Sequence, residues 1–150
     1  MKITDKKMLL VSLKMWIIGL FVNTLIGTYI VSGFSSQALK TAIVGLGYGF
    51  SFSFPVFIII LIMIYILLKI HLNFGNTFLI LLIIGVLLAE GSFFFFSLYQ
   101  KLSSTLNIPL AEAVATAAGI GIFSQYGAIK NLLNRRDHPD FFKHKIKAAT

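Results

Sequence analysis

No cysteine occurs anywhere in the 150 residues. That excludes a disulfide framework and a thiolate metal site, and it leaves the redox compartment unread. Acidic residues are nearly as scarce, five Asp and Glu against thirteen Lys and Arg. Charged residues of both signs make up only 12% of the chain, where a soluble domain carries roughly 25%. Hydrocarbon fills the space they leave: 57% of residues are hydrophobic, fifteen are phenylalanine, and the mean hydropathy is +0.90. Water is not the main solvent of such a chain.

Four segments supply the run of about twenty apolar residues needed to cross roughly 30 Å of hydrocarbon at ~1.5 Å per helical residue. They lie near 15–34, 41–68, 78–99 and 108–129. Lipid offers no partner for backbone N–H and C=O groups, so each is expected to be a helix, and segments this long do not suit barrel strands. The first follows a basic start but runs too long for a signal-peptide core and ends without an A-x-A-like site, so it reads as a retained span. The predicted fold class is therefore all-α, an integral membrane four-helix bundle of two hairpins over 1–129, followed by a basic tail over 130–150.

Short basic loops stay on the cytoplasmic side. Four spans put both termini on one side, together with Lys2, Lys6, Lys7, Lys14, Lys69, Lys130, Arg135, Arg136, Lys143, Lys145 and Lys147, and leave only Lys40 and Lys101 opposite. Both ends are thus expected to face the cytoplasm, most simply of a bacterial cytoplasmic membrane. The net charge of +8 then reports topology and contact with anionic lipid headgroups, and nucleic acid is not needed as a partner. In the tail, Arg135, Arg136, Lys143, Lys145 and Lys147 are the expected lipid-surface contacts, with Phe141 and Phe142 able to dip into the interface. The plainer reading is an anchor that enforces orientation.

Between apolar helices, close packing at small residues is the main source of association. In "GLGYGFSFSFP" the rows Gly45/Gly49/Ser53 and Gly47/Ser51/Pro55 recur at spacings of four, on two faces of one helix. Ala111/Ala115/Gly119 and Ala113/Ala117/Gly121 do the same in the fourth span, and Gly19, Asn23 and Gly27 in the first. The second span is expected to touch two neighbours, Pro55 to bend it, and the amide of Asn23 to face protein. Ordinary packing accounts for all of these rows.

Glu90, in "GVLLAEGSFFFF", is the sharpest anomaly, since an ionised group at mid-membrane costs on the order of 3 kcal/mol or more. It is expected to be neutral, paired or wetted. Ser97 at i+7 and Lys101 at i+11 share its helical face and form a thin polar stripe towards the loop. Glu112 lies about one turn inside the fourth span, with Glu90 about 6–9 Å deeper if the third and fourth spans form a hairpin. Three roles are open for Glu90: a proton- or cation-handling group of a transporter, an acid holding helices or subunits together with Asn23 as one candidate partner, or a group wetted from outside. Glu90, Glu112, Asn23, Ser97 and Lys101 are the candidate polar site.

Other chemistry has little support. "DHPDFFKH" offers Asp137, His138, Asp140 and His144, but Pro139 interrupts the spacing that would align metal ligands on one helical face, and a solvated tail is the simpler reading. His71 is alone in its loop. No Ser/His/Asp set and no phosphate-cradling glycine loop is present, so the chain is expected not to be an enzyme and to need neither cofactor nor metal. "FFFF" over 93–96 circles its helix, so some rings must meet lipid.

In the second half "TFLILLIIG", "LNIPLAEAVATAAG" and "NLLNRR" resemble the second hairpin of the GtrA-like family, and "VNTLIG" is similar to part of its first half. The resemblance implies a small four-helix membrane protein concerned with moving polyprenyl-phosphate-linked sugars. It carries over no site residues, and the first hairpin departs from the pattern by ending in "LLKIHLNF". Two functions remain in view: a transporter or flippase-like protein for a small or lipid-linked solute, and an accessory subunit of a larger membrane complex. The short span count favours a homo-oligomer or larger assembly, because four helices enclose little space.

Overall fold

A computed structural model describes residues 3–70, 72–100 and 104–137, with side chains described within 6–70, 72–100 and 106–134. All regular structure in this part is helical: α1 Ile3–Ser32, α2 Ala38–Lys69, α3 Phe74–Gln100, α4 Ser104–Ser124 and α5 Tyr126–Asp137. The first four contain stretches long and apolar enough to cross a membrane, Lys6–Ser32, Ala38–Lys69, Phe74–Gln100 and Leu106–Ser124. The protein is an all-α membrane bundle.

Five hydroxyl groups inside these helices are satisfied locally. Ser12, Thr24, Ser32, Ser51 and Ser53 each donate to the carbonyl four residues back, an arrangement that lets a polar side chain exist in an apolar helix without a partner elsewhere. The helix ends are equally local in cause. Gly33 takes a φ of +55° and donates its N–H to the Tyr29 carbonyl at 2.9 Å, closing α1 with the left-handed residue that glycine adopts without a Cβ clash. Asn73 accepts the Asn76 N–H at 2.8 Å through Oδ1 and caps the start of α3.

The fourth apolar segment does not run to 129 as a single helix. α4 stops at Ser124, Gln125 donates its N–H back to Ile122, and α5 begins at Tyr126. The expected boundary between membrane domain and tail, at 129/130, falls inside α5. Its Ile129, Leu132 and Leu133 are buried while Lys130, Asn131 and Asn134 are exposed, the i, i+3, i+4 pattern of a helix lying on a surface.

The four spans form a ring in which α1 touches α2 and α4, α3 touches α2 and α4, and α1 and α3 stand on the diagonal. The α1/α4 seam is the tightest kind. A Cβ on Gly121 would lie 2.6 Å from the Met15 carbonyl oxygen and 3.3 Å from the Gly19 nitrogen, and one on Gly19 would lie 3.3 Å from the Ala117 carbonyl oxygen. Small residues are needed there because two backbones meet. On the α1/α2 seam the row Gly45/Gly49/Ser53 turns to α1, where a Cβ on Gly49 would be 2.7 Å from Leu20 and Trp16 donates from Nε1 to Ser53 Oγ at 2.8 Å. The other row behaves differently: Gly47, Ser51 and Pro55 are all exposed, on an α2 that runs as one helix through Pro55.

Near the termini the bundle is filled. Val11, Met15, Ile60, Ile64, Leu67, Phe78, Leu81 and Ile122 form one cluster with Ile129, Leu132 and Leu133 of α5. Rings close the same end, Tyr126 meeting Phe74 at 4.8 Å and Phe78 at 5.0 Å.

Candidate functional site

Towards the loops that join α1 to α2 and α3 to α4, the helices part around a cavity of about 370 Å³. All four spans line it. α1 contributes one continuous face, Asn23, Thr24, Gly27, Thr28 and Val31, spaced so that they stack over two turns. Gly45 and Gly49 leave room on α2, and Ala89 and Val114 form part of the floor from α3 and α4. A smaller void of about 90 Å³ continues beneath, sharing Asn23, Ser53, Val56 and Ala89 and reaching Met15, Gly85 and Ile122. Asn23 sits where the two meet, about 13 Å below the loop end of α1 by helical rise. At the foot of the smaller void the space closes, since even a Cβ on Gly85 would come within 2.5 Å of Ile122.

The polar groups around this vestibule fall into two sets. Thr24, Ser53 and Ser92 are occupied, donating to the carbonyls of Leu20, Gly49 and Phe52. Asn23, Thr28, Thr41, Tyr48 and Gln100 also line the wall, and their side chains make no hydrogen bond among the described residues. None of the described lining residues is charged. Such a wall can hold hydrocarbon and a few neutral donors and acceptors.

Of the described members of the candidate polar site, Asn23 is the one that lines the vestibule, together with Gly27, Gly45, Gly49 and Ser53 of the small-residue rows. Ser97 is instead tied across the α3/α4 seam, its Oγ donating to Asn107 Oδ1 at 2.7 Å. Glu90 and Glu112 are both exposed on the outside of the bundle and have no partner among the described residues. Ser97 pairs with Asn107 and Phe78 meets Phe123, so Glu90 and Glu112 fall within about 3 Å of the same level by helical rise. This corrects the expected 6–9 Å offset: the hairpin register is shifted from the one assumed when the helix ends were aligned. Lys101, Lys143, Lys145 and Lys147 lie outside the described residues, and Arg135 and Arg136 fall in α5 beyond its described side chains. No group of three His, Asp or Glu able to hold a metal occurs among the described residues.

Sequence reasoning passed over Thr28, Thr41, Tyr48, Gln100 and Asn107. The "NTLIGT" stretch carried a signal for the first of these, because Asn23, Gly27 and Thr28 recur at one helical face; the rest had none, since Thr41, Gln100 and Asn107 are single polar residues near helix ends and Tyr48 is a lone hydroxyl among apolar neighbours.

Fold and surface together define a small multi-pass membrane protein with a vestibule at one end whose described wall is uncharged. Compared with known proteins, the chain matches no family model, no curated protein and no solved structure.

Proposed function

We propose that the protein is a transporter or flippase-like carrier for a small or lipid-linked solute, with the vestibule as the solute's port. One observation carries this reading: all four spans line a cavity in the half of the bundle nearer the loops, while the terminal end is filled by core and α5. A carrier that alternates between two sides needs a site closed to one of them in each state. The basic residues orient the molecule with both termini in the cytoplasm, so the vestibule faces away from the cytoplasm. Arg135 and Arg136, with Lys143, Lys145 and Lys147, hold anionic headgroups on the cytoplasmic face. The resemblance of the second half to the GtrA-like family adds polyprenyl-phosphate-linked sugars to the solutes to be tried.

Proteoliposomes containing fluorescent lipids with charged and uncharged heads test the proposal. Bleaching by an impermeant reductant is expected to pass the half-way level of protein-free vesicles. Bleaching that stops at that level for every lipid overturns the lipid-carrier reading.

A second reading, an accessory subunit of a larger complex, is favoured by the outward position of Glu90 and Glu112. A carboxyl group facing hydrocarbon is stabilised when another helix, from a second copy or another protein, covers it with a hydrogen-bonding group. The Glu90→Leu, Glu112→Leu double variant is expected to fold but to run as a smaller particle in detergent. An unchanged particle size removes this reading.

A further inference from the structure

We infer that the vestibule takes a lipid with an uncharged head, a long-chain alcohol or a diacylglycerol, which slips in sideways from the bilayer between α2 and α3. The inference rests on the reading of the vestibule as a solute port and names the class of solute. Three observations carry it.

The first is chemical. A phosphate or carboxylate brought against the described wall would meet no cation among its described residues, and an unpaired ion away from water is among the most costly things a protein can bury. Hydroxyl and carbonyl groups cost nothing comparable where amides and hydroxyls wait for them, and Asn23, Thr28, Thr41, Tyr48 and Gln100 are such groups. The second is the shape of the wall. Thr28, Thr41 and Gln100 lie towards the loop end, Thr41 in the first turn of α2 and Gln100 closing α3, while Val56, Ala89 and Val114 lie deeper with Asn23 as a single amide among them. A head at the mouth with its chain directed inward matches that gradient, and the volume falls in the roughly 300–1,000 Å³ range of ligand pockets.

The third is access. α2 and α3 are the least closely engaged neighbours in the ring. Val44 and Tyr48 line the vestibule and are also 56% and 42% exposed, so the wall thins to one layer on that flank. The Tyr48 ring meets Phe96 across the seam at 5.5 Å, and the first side-chain tie below them is Ser92 Oγ donating to the Phe52 carbonyl at 2.7 Å. Rings in van der Waals contact, Tyr48 and Phe52 against Phe96, form a side gate that rotates open without breaking a hydrogen bond.

The test uses the full chain in phosphatidylcholine liposomes with a trace of a diazirine-bearing long-chain alcohol, or of the same chain as its monoalkyl phosphate. After irradiation, adducts are located by mass spectrometry. The alcohol is expected to label the 44–52 and 93–100 segments about tenfold more than the phosphate, because only the phosphate buries an unpaired charge. Equal or greater labelling by the phosphate overturns the inference. So does labelling confined to outward residues such as Leu87. Filling the wall with Gly45→Leu is expected to remove the label, and the outward control Gly47→Leu to retain it; labelling that survives Gly45→Leu also overturns it. The comparison of alcohol with phosphate needs no variant, so a poorly folding Gly45→Leu leaves the test decisive. Labelling is binding and bleaching is movement: labelled but immobile lipid sinks the carrier proposal alone, whereas movement of lipids with a preference for the charged probe sinks this inference alone.

Discussion

The two ends of the bundle are built on opposite principles. At the terminal end Leu81, Ile122 and Leu133 are almost wholly buried, and α5 folds under the spans to complete the cluster. At the loop end the same four helices leave a cavity, and a ring as large as Tyr48 is half in contact with its surroundings. The two halves are not equally apolar, α2 carrying "GLGYGFSFS" towards the loops and "VFIIILIMIYILL" towards the termini, but composition alone does not decide which seams close. Side-chain size does: between α1 and α4 glycine and alanine draw the backbones together at Gly19, Ala117 and Gly121, whereas the α2/α3 flank places Tyr48, Phe52 and Phe96 between the helices and holds them apart. In lipid, where apolar side chains gain little by leaving their solvent, close fit is what distinguishes a seam from a gap.

The largest effect should come from destroying the tightest contact. Gly121→Leu forces a side chain into the Met15 carbonyl and the Gly19 backbone, neither of which can move as a side-chain tip can. It is expected to cost about 3 kcal/mol or more, read as loss of folded protein or a large fall in thermal midpoint in detergent. The same change at Gly47, exposed and with nothing near its Cβ position, is expected to leave the midpoint nearly unchanged. Equal losses at the two positions would mean that the contrast in packing is not what stabilises the molecule.

Next comes the core of the sealed end. Leu81→Ala removes a side chain only 1% exposed and is expected to cost about 2–3 kcal/mol, at the low end for buried Leu truncations because surrounding lipid-facing helices can close partly on the void. Val44→Ala, at the rim of the vestibule, is expected to cost less than ~0.5 kcal/mol. Denaturation of the two variants in mixed detergent, side by side, checks the difference. A costly Val44→Ala would show the vestibule rim to be a packed surface, not a mouth.

That contrast was only half legible in the sequence. Length and hydropathy located the four spans, since few structures other than helices can carry "FIIILIMIYILL" through hydrocarbon. The rows of small residues were visible too, at Gly45/Gly49/Ser53 and Gly47/Ser51/Pro55. Which of them meets another helix was not, because helical periodicity says what shares a face and leaves open which way the face turns. Glu90 shows the same limit: its stripe with Ser97 was read from spacing, yet Ser97 turns to Asn107 while Glu90, about 20° away by 3.6-residue geometry over seven residues, remains exposed. The break at Gln125 was hidden for a different reason. "FSQYGAIKNLL" stays apolar enough to extend the hydropathy signal past Ser124, and only the burial of Ile129, Leu132 and Leu133 under the bundle shows that a new helix has begun.

A smaller effect sits at the boundary between the two ends. Trp16 donates to Ser53 at 2.8 Å while its ring lies 5.0 Å from Phe50 and 5.2 Å from Phe57, so one residue fixes α1 against α2 just under the vestibule. Trp16→Phe keeps most of the ring contact and loses the hydrogen bond, and is expected to cost about 1 kcal/mol. Ser53→Ala should cost a similar amount, and the double variant no more than the larger single loss, because both remove the same bond. Strictly additive losses in detergent unfolding would place the effect elsewhere than in this contact.

The smallest change separates depth from facing. Gly119 is two residues from Gly121 and equally close to the sealed end, yet a Cβ there would meet nothing within 4 Å. If depth alone governed tightness, Gly119→Ala and Gly121→Ala would both be harmful. Facing governs it instead: α4 turns Gly121 to the α1 backbone and Gly119 away from it. Gly119→Ala is therefore expected to be neutral or to stabilise by up to about 0.5–1 kcal/mol, the helix preference of alanine over glycine, measured as a rise in thermal midpoint of the isolated monomer in detergent. The same substitution gains a second meaning in the bilayer. Glu112 and Thr116 are exposed on the same side of α4, so a partner helix lying over that face would use Gly119 as its closest approach. A variant that is stable as a monomer but loses its larger assembly would locate the partner's path along α4, and a variant destabilised already as a monomer would overturn the view that this face is free.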